Sequence, residues 1–440
     1  MTLTKKVIVN TLAQMSTKTI TVIIGIVVRK LLAVYLGPAG LGEYFFTITL
    51  ATIFGSIADF GTVMITVREA AKDKANAPSI FGAAFWLRIG FSAVAMLLAS
   101  LTILFILSSS ISSELKNISL FGTLLILVFS TKASLSIVFQ TLLKMEQWSI
   151  PEISASLFTF LLTFIAIQTQ KGLFEILASL MLGNTLAIAA ALFLSRRLVK
   201  INFRPQKRII LPLVKNAIPM GGVLVVYSIY NKLDTVMLQT MMGSQAVGIY
   251  GAAYSVYDVL VLGAAYFMNT ILPILSGTIT KTDEKSKNRS YRIFQKSFAT
   301  LFFLATVVFL AVVVLAPIII AIIASPEFNQ STEALRILAF AIFISYLNHL
   351  TGYTLVVLNK QKTFFIITIV ALFTNIISNF FLIPLFAQNG SALATVLTEG
   401  VVFVLTTALI YKTNGWLPRP SSIPETARDL ILNRGKILNE

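Results

Sequence analysis

Largely apolar runs that approach or exceed about 20 residues recur along this 440-residue chain, among them Leu120 to Ile137, Phe298 to Ile323 and Phe364 to Phe386. A helix of about 20 apolar residues crosses a hydrocarbon core of about 30 Å, so such runs leave the chain few ways to fold except as membrane-spanning helices. The ten-residue alternation of a transmembrane barrel is absent. With 56% apolar and 12% charged residues and a mean hydropathy of +0.86, the chain lies far from a soluble globule, which carries about 25% charged residues. No connection is long enough for a separate soluble domain.

The sequence predicts an all-α polytopic membrane protein with twelve helices. They cover approximately residues 10–36, 41–66, 80–108, 118–142, 150–169, 172–194, 213–241, 247–277, 297–324, 332–358, 363–387 and 390–412. The first is read as a retained span, since no small-residue cleavage site follows it.

Lysines and arginines outside these spans or near their ends alternate between crowded and nearly empty connections. One side holds twenty-six; the other holds Lys116, Lys171 and Arg336. By the positive-inside rule both termini are expected in the cytoplasm, and the localisation is a multi-pass cytoplasmic membrane protein. The formal charge of +17 therefore reports topology, and nucleic acid is not expected as a partner. With no cysteine and one histidine, His349, thiolate and histidine-cluster metal sites are excluded.

The longest cytoplasmic connection, Ser195 to Pro212, divides the chain near its middle. The expected organisation is a six-helix bundle over 1–200, a second over 201–412, and a cytoplasmic tail over 413–440. The halves resemble each other. Leu36-Gly37-Pro38-Ala39-Gly40-Leu41-Gly42-Glu43-Tyr44 matches Met242-Gly243-Ser244-Gln245-Ala246-Val247-Gly248-Ile249-Tyr250 at an offset of 206, as Asn10 matches Asn216. Leu142 to Gln147 matches Val356 to Gln361 at 214. Six helices per half give a parallel repeat, an arrangement common in secondary transporters.

These elements, with Asp59-Phe60-Gly61 and Asp234, give the chain a resemblance to the polysaccharide transporter family. These are oligosaccharide (O-antigen-type) flippases of the multidrug/oligosaccharidyl-lipid/polysaccharide exporter superfamily. The resemblance implies a MATE-like fold of two six-helix bundles around a cavity. It implies a flippase that moves a polyprenyl-pyrophosphate-linked oligosaccharide to the outer leaflet by alternating access, for surface polysaccharide biosynthesis. The implied partners are that lipid-linked oligosaccharide, the bilayer, and a polysaccharide polymerase and glycosyltransferases of the same pathway. Val34 departs from the cation that many relatives carry before the LGP element, so a cationic role there passes to Arg29 or Lys30 or is absent.

Ionisable residues inside spans are costly and mark function by default. Lys18, Arg29, Lys30, Arg88, Lys132 and Lys232 lie within the expected helices. At 100° per residue Thr11, Gln14, Lys18, Gly25 and Arg29 share one face, a polar stripe unsuited to lipid. Arginine binds phosphate bidentately and lysine as a point charge, so Arg29, Lys18, Arg88 and Lys132 are the candidate pyrophosphate contacts. The alternative for Arg29 and Lys30 is snorkelling to the nearby helix end. For Arg88 a structural role weighs equally.

Asp59, Asp234, Asp258 and Glu399 are taken as the in-span carboxylates, and six basic against four acidic side chains favours an anionic substrate. Asp59 and Asp234 are the ion-coupling candidates, for H⁺ or Na⁺, with a buried ion pair as the alternative; no other cofactor is expected. Gln14, Tyr254, Tyr257 and Asn231 are candidate glycan-facing residues, since aromatic faces stack on sugars and amides bond their hydroxyls. Tyr250 fits an interfacial aromatic belt. Asn348, His349, Asn375 and Asn379 suit interhelical hydrogen bonds.

No GxxxxGK[ST] loop occurs, so transport energy comes from a gradient. The competing readings are a multidrug and toxin extrusion exporter, which needs cavity carboxylates, a channel or scramblase, and a membrane glycosyltransferase or polymerase. The last lacks the sizeable charged outer loops that catalysis would require.

Overall fold

A computed structural model describes residues 3–204, 207–279 and 284–419, without the side chains of residues 3–9, 279, 284 and 285. Seven of the twenty-six cations that orient the chain, Lys5, Lys6, Lys281, Lys285, Arg428, Arg434 and Lys436, lie outside the described side chains, as does most of the expected tail. Twelve α-helices are present among the described residues: α1 (Leu3–Asp59), α2 (Thr62–Lys72), α3 (Ala77–Leu101), α4 (Ser113–Gly122), α5 (Leu124–Thr141), α6 (Met145–Gln168), α7 (Leu173–Leu198), α8 (Lys207–Met242), α9 (Ser244–Ile279), α10 (Glu284–Ile323), α11 (Ser331–Val357) and α12 (Gln361–Asn414). No strand occurs among the described residues. Adjoining pieces combine, so that 10 continuous segments are long and apolar enough to cross a membrane.

Two of those segments are bent. Straight, the 57 residues of α1 would reach about 85 Å, far beyond a hydrocarbon core of about 30 Å. The bend falls at Gly37, whose φ of 64° and ψ of −176° L residues avoid, followed by Pro38, which has no N–H to give. The 54-residue α12 breaks at Ala387, with φ 48° and ψ −126°, three residues after Pro384. The expected boundaries at 36–41 and 387–390 fall on these bends. Where helices start earlier than expected, as α10 does at Glu284 rather than 297, the added turns are charged (Lys287, Arg289, Arg292, Lys296) and hydropathy does not register them.

Residues Met1–Gly248 and Ile249–Glu440 form two compact units. In the first, α1 packs against α3, α5, α6 and α8, and α6 lies along α7. Small side chains let these helices approach closely: Ala83, Ala84, Ala95, Ala99, Ala187 and Ala191 are fully buried. In the second, α11 packs against both α10 and α12. Large apolar side chains such as Phe105, Val314 and Leu385 point outward, the surface of a protein solvated by lipid.

The repeated elements recur as geometry. Gly37 and Gly243 both have positive φ, 64° and 83°. They also meet. A Cβ on Gly42 would lie 1.8 Å from the Ser244 carbonyl oxygen, and one on Gly248 would lie 1.9 Å from that of Pro38. Gly42 and Gly248, like Pro38 and Ser244, are 206 apart, so each copy of the turn receives a carbonyl of the other against its glycine. Further along, Leu143 (φ 54°) ends α5 and Asn359 (φ 57°) ends α11. Lys144 N–H bonds Phe139 O at 2.8 Å and Lys360 N–H bonds Leu355 O at 2.9 Å, the same six-to-one closure. The two turns therefore correspond at an offset of 216, two more than the sequence match at 214.

Candidate functional site

The Asp59-Phe60-Gly61 element breaks the helix. Phe60 and Gly61 take positive φ (39° and 72°), and Asp59 accepts from the Val63 amide at the start of α2. Gly61 and Gly221 sit where a Cβ would press on Met220 and on the Phe60 ring, so the break nests against α8. Arg88 reaches this break from α3. It is 2% exposed, pairs with Asp59 through Nη1, and donates to Thr62 Oγ1 at 2.9 Å and the Ser130 carbonyl at 3.2 Å. Three acceptors hold the guanidinium of this buried cation.

A cavity of about 310 Å³ opens in the first unit between α1, α5, α6 and α7. Arg29 lines it, with Gly25 and Thr21 one and two turns earlier on α1. Arg29 Nε donates to the Gly25 carbonyl at 3.1 Å, which folds the guanidinium back along the helix. Lys132 of α5 also lines the cavity, with Ser156 and Thr159 of α6 and Asn184 of α7. Gly183 presses α7 onto Thr159, so these two polar walls stand close together. No carboxylate is among the lining residues. Lys132 Nζ instead meets Glu152 Oε1 at 3.2 Å. Glu152 sits one turn before Ser156.

The stripe expected on α1 is thus divided. Gly25 and Arg29 face the cavity; Gln14 and Lys18 are exposed and line neither this cavity nor the one below. Thr17, the neighbour of Lys18, is buried and donates to Ser149 Oγ at 2.5 Å, which fixes α1 against α6. Asn10 holds the same pair of helices by accepting from the Met145 amide at 2.7 Å.

A second cavity, of about 270 Å³, lies between the later arm of α1 and α8. Thr52, Ser56 and Asp59 line one side; Tyr227, Ser228, Asn231 and Lys232 line the other. It brings together Asn231, Asp59 and the in-span cation Lys232. Asp234 is buried at 2% exposure, its Oδ1 accepting from the Thr235 amide at 2.7 Å.

In the second unit Tyr250, Tyr254 and Tyr257 stack in series, with ring centroids 5.3 and 5.0 Å apart. All three are buried. Tyr250, expected in an interfacial belt, instead bonds Thr395 Oγ1 at 3.2 Å inside the helix packing. Tyr257 donates to Glu399 Oε1 at 3.2 Å, and Asn348 Nδ2 donates to Glu399 Oε2 at 2.6 Å. Asn348 therefore makes the interhelical bond expected of it. Asn379 bonds Asn375 on its own helix, and His349 the Ser345 carbonyl on its own.

The count of carboxylates needs correction. Glu43, Glu152, Glu175 and Glu333 also lie within the expected spans, as do Lys215, Arg336 and Lys412, so nine basic side chains face eight acidic ones and the total no longer favours an anion. What favours it is local: among the described residues, no carboxylate lines the cavity with Arg29 and Lys132. Glu152 was legible as an acidic residue inside the expected helix 150–169; its pairing with Lys132, 20 positions away, was not.

A bent-helix membrane protein with this arrangement has the MATE-type fold of the multidrug/oligosaccharidyl-lipid/polysaccharide exporter superfamily. A multidrug resistance MATE family transporter in an inward-facing conformation matches with a TM-score of 0.72 at 13% identity, over 90% of this chain and 96% of its own. The lipid II flippase MurJ in an inward closed conformation matches at 0.71 and 15% identity, over 96% and 91%. A superfamily transporter from Pyrococcus furiosus, described as having a binding pocket of reverse polarity, matches at 0.58 and 14%, over 93% and 94%. The chain belongs to the polysaccharide biosynthesis protein family, whose model matches residues 3–279, and a MatE model matches residues 219–381. An uncharacterized membrane protein of Methanocaldococcus jannaschii is 27% identical over 307 residues, 66% of this chain and 71% of that protein.

Proposed function

We propose that the protein is a flippase for a lipid-linked oligosaccharide, translocating a glycan on polyprenyl pyrophosphate across the cytoplasmic membrane by alternating access. The observation that carries this reading is the cavity that Arg29 and Lys132 line without a carboxylate. Arg29 offers a planar fork of donors to one phosphoryl group and Lys132 a point charge to the other. Thr21, Ser156, Thr159 and Asn184 add neutral groups that can bond further oxygens. Lys18, exposed on α1 two turns before Gly25, serves as an approach contact. Arg88, held by Asp59, is a structural cation and is left out of the substrate contact.

Twelve spans follow from dividing α1 and α12 at their bends, and they make two parallel repeats of six with both termini cytoplasmic. Coupling to H⁺ or Na⁺ is assigned to buried Asp234, since Asp59, although it lines the second cavity, is engaged as the partner of Arg88. Tyr254 and Tyr257 would meet glycan only in a state that unpacks them, so the glycan contact falls first to half-buried Asn231, which lines the second cavity, and to exposed Gln14. The surface-polysaccharide pathway supplies the glycosyltransferases and the polymerase on either side of this step.

Deletion in a host that makes a lipid-linked glycan tests the reading. Accumulation of the intermediate on the cytoplasmic leaflet is expected, and Arg29→Ala should reproduce it with membrane insertion intact. The MatE match over residues 219–381 favours a second reading, a cation-coupled multidrug exporter. Normal surface glycan with lost dye efflux would establish that reading and overturn the flippase.

A further inference from the structure

The neutral lining of the first cavity has a hydrogen-bond polarity of its own. Three of its polar side chains each give a hydrogen to a carbonyl one turn back on their own helix: Thr21 Oγ1 to Lys18 at 3.1 Å, Ser156 Oγ to Glu152 at 3.2 Å and Asn184 Nδ2 to Leu180 at 2.9 Å. What they keep for the cavity is chiefly oxygen, and so acceptors. The two hydroxyls can turn their hydrogens elsewhere. Asn184 cannot, because its amide turned end for end would set Oδ1 against the Leu180 carbonyl, acceptor against acceptor.

Asn184 is 5% exposed and lines the cavity, and no described residue donates to its Oδ1. A polar atom so placed takes its partner from whatever fills the cavity. Thr159, 9% exposed, lies against Gly183 in the same wall; its hydroxyl makes no hydrogen bond among the described residues and keeps its hydrogen to give. The oxygens of a pyrophosphate diester accept and never donate, so they are repelled by Asn184 Oδ1. A sugar hydroxyl both donates and accepts, and can give to Asn184 Oδ1 while taking from Thr159 Oγ1; an acetamido group, with its N–H and carbonyl, can do the same. An ammonium headgroup also donates, but no carboxylate lines the cavity to balance it, and the charge that Arg29 and Lys132 bring there is positive.

We propose that the first cavity takes the first sugar of the glycan together with the pyrophosphate, and that Asn184, assisted by Thr159, is the specificity-determining contact for that sugar. The cations of α1 and α5 donate to phosphoryl oxygens, and the wall of α6 and α7 accepts from the sugar. Gly183 sets that wall, since a Cβ there would lie 2.0 Å from Thr159 Oγ1 and hold α7 away. This inference rests on the flippase reading, which makes Arg29 and Lys132 the anion contacts, and requires nothing of the partners those two cations already hold.

The test uses the full chain in a neutral polyoxyethylene detergent, because a glycosidic detergent carries its own sugar. Two synthetic probes share a farnesyl tail and a pyrophosphate diester. One bears N-acetylglucosamine and the other a cyclohexyl ring, so charge and ring size match and only the first offers hydroxyls. Equilibrium binding is read by microscale thermophoresis. The wild type should prefer the sugar probe by about tenfold, the order of one or two net hydrogen bonds. Asn184→Leu, similar in shape and without a hydrogen-bonding group, should bring the preference near unity and leave the cyclohexyl probe bound as before. Lys132→Gln should weaken both probes alike and keep the preference, which separates the anion contact from the sugar contact.

Thr159→Ala is the second arm, should Asn184→Leu not give a monodisperse protein. It should reduce the same preference and spare the cyclohexyl probe. A wild type that binds both probes equally, or variants of Asn184 and Thr159 that keep the full preference, overturns the sugar contact while the flippase reading stands. Phosphatidylethanolamine should not displace the sugar probe; displacement from the wild type and not from Asn184→Leu would give these acceptors to an ammonium and overturn the sugar contact as well. A wild type that binds neither probe overturns both readings.

Discussion

Gly42 and Gly248 cross so closely that alanine at either position has no room. The obstructing atoms are carbonyl oxygens of Ser244 and Pro38, at 1.8 and 1.9 Å from the added Cβ, where ordinary contact begins at 3.4 Å. Backbone cannot swing aside as a side chain can. The two turns must separate by about 1.5 Å, the shortfall in those distances. Overpacking of this kind costs about 1–3 kcal/mol, and an obstruction on both backbones places each single variant near about 3 kcal/mol. For a unit of this size each kcal/mol lowers Tm by roughly 2–4 °C, so Gly42→Ala and Gly248→Ala should each lose roughly 6–12 °C. One separation relieves both clashes, so the double variant should lose little more than either single, a coupling of about 2–3 kcal/mol. Gly55→Ala, on the same arm of α1 with nothing within 4 Å of its Cβ, is the control and should gain up to about 1 kcal/mol from helix propensity. The assay is thermal unfolding of the purified chain in one detergent, followed by fluorescence-detected size exclusion. Single variants that melt with the wild type, or a double variant that loses the sum, would refute the crossing.

Other consequences are as direct. Ala387→Gly removes a positive-φ strain of about 1–3 kcal/mol and should raise Tm, whereas Ala387→Val should lower it in the same melt. Asp59→Asn leaves the buried Arg88 charge without its anion and should cost about 3–5 kcal/mol; Asp59→Leu combined with Arg88→Met should recover most of that in chemical unfolding. At the turn before α3, hydrogen bonds from the Asn76 side chain and then its backbone amide hold the exposed Asp73 carboxyl below its usual range. A depressed value means the turn is favoured above the unfolded-state pKa and loosens as pH falls through the folded one. Hydrogen exchange at the Asn76 amide, measured against pH, should accelerate over that acidic interval beyond its intrinsic trend, and Asp73→Asn should abolish the excess.

Hydropathy made most of the fold legible, because a 20-residue apolar run has one outcome in lipid. It placed the bends of α1 and α12 near Gly37 and Ala387 from Gly, Pro and Asn clusters alone. It missed the charged first turns of α10, since a helix outside the bilayer has no apolar signature. The 206 offset was visible because its residues must be glycine; the turn before Lys360 was misaligned by two because a six-to-one closure accepts Leu143 in one copy and Asn359 in the other. Within the site, Arg29 was legible from the stripe on α1. Arg88 and Lys132 look alike in sequence, as single cations inside spans. What separates them is a partner from another helix, Asp59 for one and Glu152 for the other, and pairing across helices leaves no periodic trace.

The crossing of Gly42 and Gly248 has a consequence for how such a chain could have arisen. Each turn offers the same two things, a glycine with no side chain and a carbonyl to set against its counterpart, so the contact is self-complementary. Self-complementary patches are what a two-fold homodimer requires. A half-length ancestor carrying one LGPxxxGxY element would have possessed both sides of this joint, and gene fusion would have preserved the contact while releasing the two copies to diverge everywhere else.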